Sequence, residues 1–332
     1  MRILTNMLAG AAIAASLAAA PVANAQNANE INFGIISTES SANLKTIWEP
    51  FLEAMAKSTG LKVNGFYASD YAGVIEAMRF NKVQVAWYGN KSAMEAVDRA
   101  QGEVFASVID KDGNPGYWSV LLVNKSSPIN SVEDVIKQGK TLSYGAGDPN
   151  STSGTLVPGY YLWAANKVDP KTLFKNVRVS NHETNLLSVI NGQVDVAVNN
   201  TEALERYRIS TGKNPQDQVK VIWKSPLIPA DPMVYRTDLP ADVKTKLRDF
   251  FVNYGKGANA EHELAVLKGL TYKGFRASDN GQLVPIRQLE YAKEKARVEA
   301  DTAMNAGEKS KRIADLDQKL AALEKQAPTA KQ

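Results

Sequence analysis

Strand-like and helix-like runs alternate along this chain in two separate series, and that arrangement limits its fold more than any other feature. "INFGIIS" (31–37) reads as a strand and "NLKTIWEPFLEAMAKSTG" (43–60) as an amphipathic helix. Strand "LKVNGFYA", helix "DYAGVIEAMRFNK", strand "VQVAWYG", helix "SAMEAVDRA" and strand "VFASVI" complete the first series. Apolar runs of strand length that alternate with helical periods predict an α/β fold, a parallel or mixed sheet with helices on both faces. No repeat of fixed period is visible.

The β-rich run "GYWSVLLVNK" (116–125) leads out of this series into a second one. That series comprises "TLSYG", a helix after Ser153, "VRVS", "ETNLLSVING", "VDVAVNN", a helix after Thr201 and "VKVIWKS". "PLIPADPMVYR" (226–236), with three prolines in seven residues, suits a return crossing, and "ADVKTKLRDFFVNYG" adds a helix beyond it. The chain thus leaves one α/β lobe, builds a second and comes back. We expect lobe 1 over 26–120 and 229–288 and lobe 2 over 121–228, with a cleft between them, where small ligands prefer to bind. From about Leu289 the composition turns to Ala, Glu and Lys, a charged helical extension over 289–332. Ile313, Leu316, Leu320 and Leu323 follow a 3-4-3 spacing. This fits a homodimer through the C-terminal helix, or a helix packed on its own chain.

Residues 1–25 read as a secretory signal: Arg2, an apolar run over 7–20, and an "ANA" cleavage pattern ending at Ala25. The expected location is the periplasm, as a soluble form with no cysteine to carry a lipid. The chain has no cysteine at all, so a hydrophobic core, not disulfides, must hold it together. A net charge of +4 spread over 332 residues, with no basic patch laced with aromatics, argues against nucleic acid. The histidines are His182 and His262, and "HELAV" lacks the second histidine of a zinc-protease helix. Neither a metal nor a cofactor is expected.

"GDPNSTSG" (147–154) places Ser151, Thr152 and Ser153 where a helix begins. One hydroxyl suffices as an N-cap; three offer donors to an anion at the positive end of a helix dipole. The segment is not a P-loop, since no Gly-Lys-Ser/Thr follows. A polar cap with two solvent-facing neighbours fits the same residues. Other segments at strand ends, where open α/β sheets hold ligands, carry further polar groups. Tyr71 in "DYAG" and Tyr117 in "NPGYWS" offer hydroxyls, and His182 in "NHET" offers a donor to an anion, strengthened if protonated. Glu202 in "NNTE" and Asp231 in "ADP" are acids. Taken singly, each also reads as a core-edge tyrosine, a cap or a first-turn acid.

Long runs across about 31–289 carry a more specific resemblance: "FGIISTES", "MRFNKVQVAWYGNKSAMEAVDRA", "PGYWSVLLVNKSSPIN", "GDPNSTSGTLVPGYY", "VIWKSPLIP" and "LVPIRQL". They closely resemble the periplasmic phosphonate-binding proteins of bacterial phosphonate ABC importers. The resemblance implies a type II periplasmic binding fold that closes by hinge motion, and a membrane permease as partner. It also implies that Tyr71, Tyr117, Ser151, Thr152, Ser153 and His182 hold phosphonate oxygens. In members that bind 2-aminoethylphosphonate, the amine would meet Glu202 and Asp231. The physics agrees: a desolvated ammonium needs a paired charge, whereas neutral hydroxyls and helix ends can hold the phosphonate without an arginine. Tyr71, Tyr117 and Asp231 are expected from one lobe, and the triplet, His182 and Glu202 from the other. Past Leu289 the resemblance weakens.

Two other functions fit parts of the pattern. A binding protein of the same fold could take phosphite, phosphate or another small anion, although two carboxylates would repel inorganic phosphate. A serine hydrolase with Ser151 or Ser153 as nucleophile and His182 as base lacks a Gly-x-Ser-x-Gly elbow and a third orienting group.

Overall fold

The computed structural model describes residues 29–326, so the signal segment and its cleavage site lie outside the described residues. The first series folds as β1 (Glu30–Ile35), α1 (Ser41–Thr59), β2 (Lys62–Tyr67), α2 (Tyr71–Arg79), β3 (Val85–Trp87), α3 (Asn90–Arg99) and β4 (Gly102–Asp110). Helix α1 shows why the sequence folds locally as it does. The Ser40 side chain accepts from the Asn43 amide at its start, and Gly60 closes its end at φ 71°, a left-handed turn that glycine adopts without penalty. Leu44, Trp48, Phe51, Leu52 and Met55 line its buried face.

After β5 (Gly116–Tyr117) the second series gives β6 (Ser119–Asn124), α4 (Val132–Gln138), β7 (Ser143–Ala146), α5 (Pro170–Leu173), β8 (Asn176–Val179), α6 (His182–Ile190), β9 (Val196–Asn200), α7 (Thr201–Thr211) and β10 (Val219–Lys224). The chain returns through β11 (Ile228–Pro229) and β12 (Pro232–Arg236), then adds α8 (Ala241–Asn253), α9 (Ala260–Gly269) and β13 (Tyr272–Ala277). Helices α10 (Val284–Ala300) and α11 (Ala306–Glu324) follow.

Two mixed sheets result. The six-stranded sheet has the order β13-β4-β12-β3-β1-β2, and the five-stranded sheet β10-β6-β9-β7-β8. Strand β12, formed only after the second sheet is built, inserts antiparallel between β3 and β4. The first sheet is therefore incomplete until the chain comes back. Phe33, Trp48, Phe51, Phe105, Phe251 and Phe275 are almost wholly buried around it. At about 1.5–3 kcal/mol per large buried side chain, these aromatics supply what disulfides would otherwise. The second sheet is sandwiched: Leu121 and Val123 of β6 face one cluster, Val120 and Leu122 the other, the two-residue alternation of a strand covered on both sides.

Between the sheets, β5 and β11 pair with each other antiparallel, Tyr117 opposite Ile228 and Gly116 opposite Pro229. The two crossings thus form a two-stranded ribbon. A Cβ at Gly116 would lie 1.8 Å from the Ile228 carbonyl oxygen, so this residue is glycine because the strands touch there.

The 3-4-3 seam at the C-terminus packs inside the chain. Leu316 and Leu323 are buried, α11 lies against α10, and Lys295 pairs with Asp317 at 2.5 Å. Ile313 and Leu320 are half-buried, and the arrangement fits the helix packed on its own chain.

Candidate functional site

Several helix starts converge between the two sheets. Asp70 caps α2, accepting from the Gly73 amide at 2.7 Å, and Tyr71 is its first residue. Asn181 caps α6 from the second lobe, accepting from Thr184, which puts His182 at its first position. Asn200 caps α7, accepting from Ala203, and Glu202 sits in its first turn. The fourth start is the hydroxyl triplet. Its helix begins at Thr152, with Ser151 as the cap, rather than after Ser153, and it is wound wide. Leu156 donates to the Ser151 carbonyl and Val157 to that of Thr152, five residues back in each case. Such π turns occur mostly at functional sites. Gly147, just after β7, and Gly154, in the helix start, let the two backbone segments touch, since a Cβ on Gly147 would lie 2.5 Å from the Gly154 Cα.

A small pocket lies where these starts meet. Tyr71, Tyr117, Ser151, Thr152, Ser153, His182, Glu202 and Asp231 all line it. The triplet is not a cap with two solvent-facing neighbours: Ser151, Thr152 and Ser153 are 2%, 1% and 2% exposed. Each hydroxyl oxygen already accepts one hydrogen bond. Ser151 accepts from the Gly154 amide at 2.9 Å, Thr152 from the Lys91 amide at 2.8 Å, and Ser153 from Asn200 Nδ2 at 3.1 Å. Their protons are left to donate outward. With the positive helix ends around them, the arrangement is chemically an anion cradle.

His182 departs from its sequence reading. Burial first, and the Arg206 charge second, push its pKa down to about 3, so the imidazole is neutral and gains no strength from protonation. Its Nε2 stands 3.5 Å from both Ser151 Oγ and Ser153 Oγ, and Nδ1 has no partner in the protein. At that distance neither serine has a base in good hydrogen-bond contact, and no carboxylate orients the ring. A hydrolytic triad is therefore not assembled.

Glu202 and Asp231, which line the same pocket, are 6% and 4% exposed. Burial raises both above the ordinary carboxylate range, and the charge of Glu202 adds to the effect on Asp231. Trp87 Nε1 donates to Asp231 Oδ2 at 3.2 Å, while Oδ1 is buried without a partner. Tyr117 stands on the ribbon rather than within either large sheet, and Asp231 follows β11.

Sequence reasoning missed Arg206, Trp87, Thr38 and Asn200, which also line the pocket. Arg206 lies four residues beyond Glu202 on α7, on the same helix face; that spacing was the available signal. An arginine in the pocket wall was not expected.

Residues 33–283 match the family of periplasmic substrate-binding proteins of phosphonate ABC transporters. The chain belongs to that family. It is 54% identical over 290 residues to the phosphonates-binding periplasmic protein of Escherichia coli K12, covering 87% of this chain and 84% of that one. The crystal structure of a binding-protein component of an ABC phosphonate transporter from Pseudomonas aeruginosa superposes with a TM-score of 0.86 at 55% identity, covering 89% of this chain and 97% of that one. The phosphate-import protein of Mycolicibacterium smegmatis is 29% identical over 242 residues, 70% of this chain and 74% of that one. The fold is thus the two-lobed α/β fold of periplasmic binding proteins. This chain is the phosphonate-binding periplasmic component of an ABC transporter, a carrier and not an enzyme, working with a membrane permease. Among the described residues no helix is long and apolar enough to cross a membrane.

Proposed function

We propose that the pocket captures 2-aminoethylphosphonate for delivery to the permease. In this reading Ser151, Thr152, Ser153, Tyr71, Tyr117 and His182 hold the phosphonate oxygens, and Glu202 and Asp231 hold the ammonium. The observation that carries it is the pair of carboxylates, both buried in the wall of a pocket that also contains the hydroxyl triplet. Two buried carboxylates repel each other and lack water; a ligand ammonium between them offsets that cost. The hydroxyl protons and helix ends supply the complementary pole for the phosphonate. The first lobe, the ribbon and the second lobe all contribute, so ligand draws the lobes together because only the closed form bonds it from both sides.

A second reading takes a small oxyanion or alkylphosphonate with no amine. Arg206, in the pocket wall beside Glu202, favours it, and the curated relative at 29% identity is named for phosphate import. Calorimetric titration of the mature chain with 2-aminoethylphosphonate, methylphosphonate and phosphate separates the two. A preference of about a hundredfold or more for the amine-bearing ligand is expected, from a charge-assisted contact at each end. Equal affinity for all three would leave the anion cradle and remove the ammonium role of the carboxylates.

A further inference from the structure

The loop between β1 and α1 brings a hydroxyl to the pocket that none of the preceding assignments uses. Thr38 lines the pocket, is 4% exposed, and its Oγ1 is buried with no hydrogen-bond partner in the protein. Its backbone is fixed on both sides. The Thr38 amide donates to the Ile36 carbonyl at 2.8 Å, and the Thr38 carbonyl accepts from the Glu183 amide at 3.3 Å. The next residues are tied down as well: Glu39 to Arg206, and the Ser40 amide to Glu183 Oε2 at 2.8 Å. A hydroxyl held this firmly, desolvated and unpaired, is costly unless something in the pocket bonds it.

The Glu183 contact points to the end of the pocket it serves. Glu183 directly follows His182 on α6, so the Thr38 backbone meets the second lobe at the helix start that carries His182. We infer that the Thr38 hydroxyl is a further phosphonate-binding group, donated by the first lobe across the cleft from the triplet. The inference rests on the reading of this pocket as the phosphonate site. It gives the first lobe a donor of its own to the anion besides Tyr71, one made only when the loop meets α6.

The test compares Thr38→Val, Thr38→Ser and Ser151→Ala with wild type by calorimetry, using methylphosphonate and 2-aminoethylphosphonate, with thermal melts alongside. Valine keeps the shape and removes the hydroxyl. Expected is a loss of about tenfold or more for both ligands in Thr38→Val, as for a hydrogen bond to a charged group, with Thr38→Ser within about threefold of wild type. If Thr38→Val binds as wild type does while Ser151→Ala loses affinity, the assignment is overturned and the phosphonate pocket stands. If Thr38→Ser loses as much as Thr38→Val, the hydroxyl is not the cause, which overturns it equally. A loss confined to the amine-bearing ligand overturns the phosphonate assignment. Unchanged binding in Thr38→Val and Ser151→Ala together overturns the pocket reading as well.

Discussion

Arg206 and Glu39 form an ion pair that spans the cleft: Arg206 Nε, on α7 of the second lobe, donates to Glu39 Oε1, in the loop after β1 of the first. Their side chains are 6% and 12% exposed. Beside it, Glu183 of α6 accepts from the Ser40 amide at the start of α1 and from the Asn43 side chain. Asp148 accepts from the Tyr71 amide at 3.1 Å. These carboxylates from the second lobe sit on helix starts of the first, where the dipole favours them. Separation of the lobes would break all three contacts.

Glu39→Gln removes one charge of the buried pair without removing bulk. Its effect falls on the closed form, since the partners belong to different lobes. We expect affinity for phosphonates to drop about tenfold or more, mostly through faster release, as for loss of a desolvated charged hydrogen bond. Stopped-flow release kinetics give the answer, and an unchanged release rate would mean the pair does not hold the cleft shut.

Glu202→Gln tests the ammonium role. 2-Aminoethylphosphonate should lose about a hundredfold, the cost of an unpaired charge in a dry site, and methylphosphonate less than about threefold. Parallel titrations decide it; equal losses for the two ligands would take the amine away from Glu202.

For His182 the sign of the pH effect follows from its lowered pKa. The unfolded chain takes up this proton near 6.5, whereas the folded protein holds the ring neutral down to about 3. Below about 6.5 the unfolded state therefore binds more protons, and stability falls as pH falls; above it the full stability is present. Near pH 4.5 the loss from this one group reaches about 2–3 kcal/mol, at about 1.4 kcal/mol per pH unit. Comparing melts of wild type and His182→Gln at pH 4.5 and 7.5 should show the variant losing less. The imidazole signals of His182 should stay still between pH 5 and 8, and a titration midpoint near 6.5 would refute the burial argument.

Gly116→Ala tests the ribbon. With the new methyl 1.8 Å from the Ile228 oxygen, β5 and β11 must separate, and a cost of about 2 kcal/mol or more is expected. Gly257→Ala, which meets nothing within 4 Å, is the matched control and should shift stability by less than about 0.5 kcal/mol. Equal denaturation midpoints for the two variants would show that the strand contact is not tight.

Strand β1 is legible from the alternation of Ile31, Phe33 and Ile35, and β3 from its wholly buried apolar run. Strand β13 is hard to read from sequence: "YKGFRA" alternates only weakly, with a glycine and two basic residues among its six, although the turn cluster "SDNG" follows it. The pairing of β5 with β11 joins segments more than a hundred residues apart, and local pattern carries no such information. At the site, the eight candidate residues all line one pocket, because loops at strand ends gather at the same edge. What escaped was anything set by tertiary context. The Glu39–Arg206 pair is two unremarkable charges in the sequence, and the depressed basicity of His182 depends on how deeply α6 is covered. The π winding after Ser151 has no marker among the residues that form it.

Helix α10 adds a mechanical consequence. Ile286 and Leu289 pack in one cluster with Leu156 and Val157 of the second lobe and with Tyr117 and Ile228 of the ribbon, while Arg287 grips Asp98 of α3 in the first lobe at 2.7 Å. The helix is thus bolted to one half of the molecule and greased against the other. A body that swings about the ribbon would have to slide past those two apolar side chains, whose non-directional contact resists sliding less than a hydrogen-bonded one would.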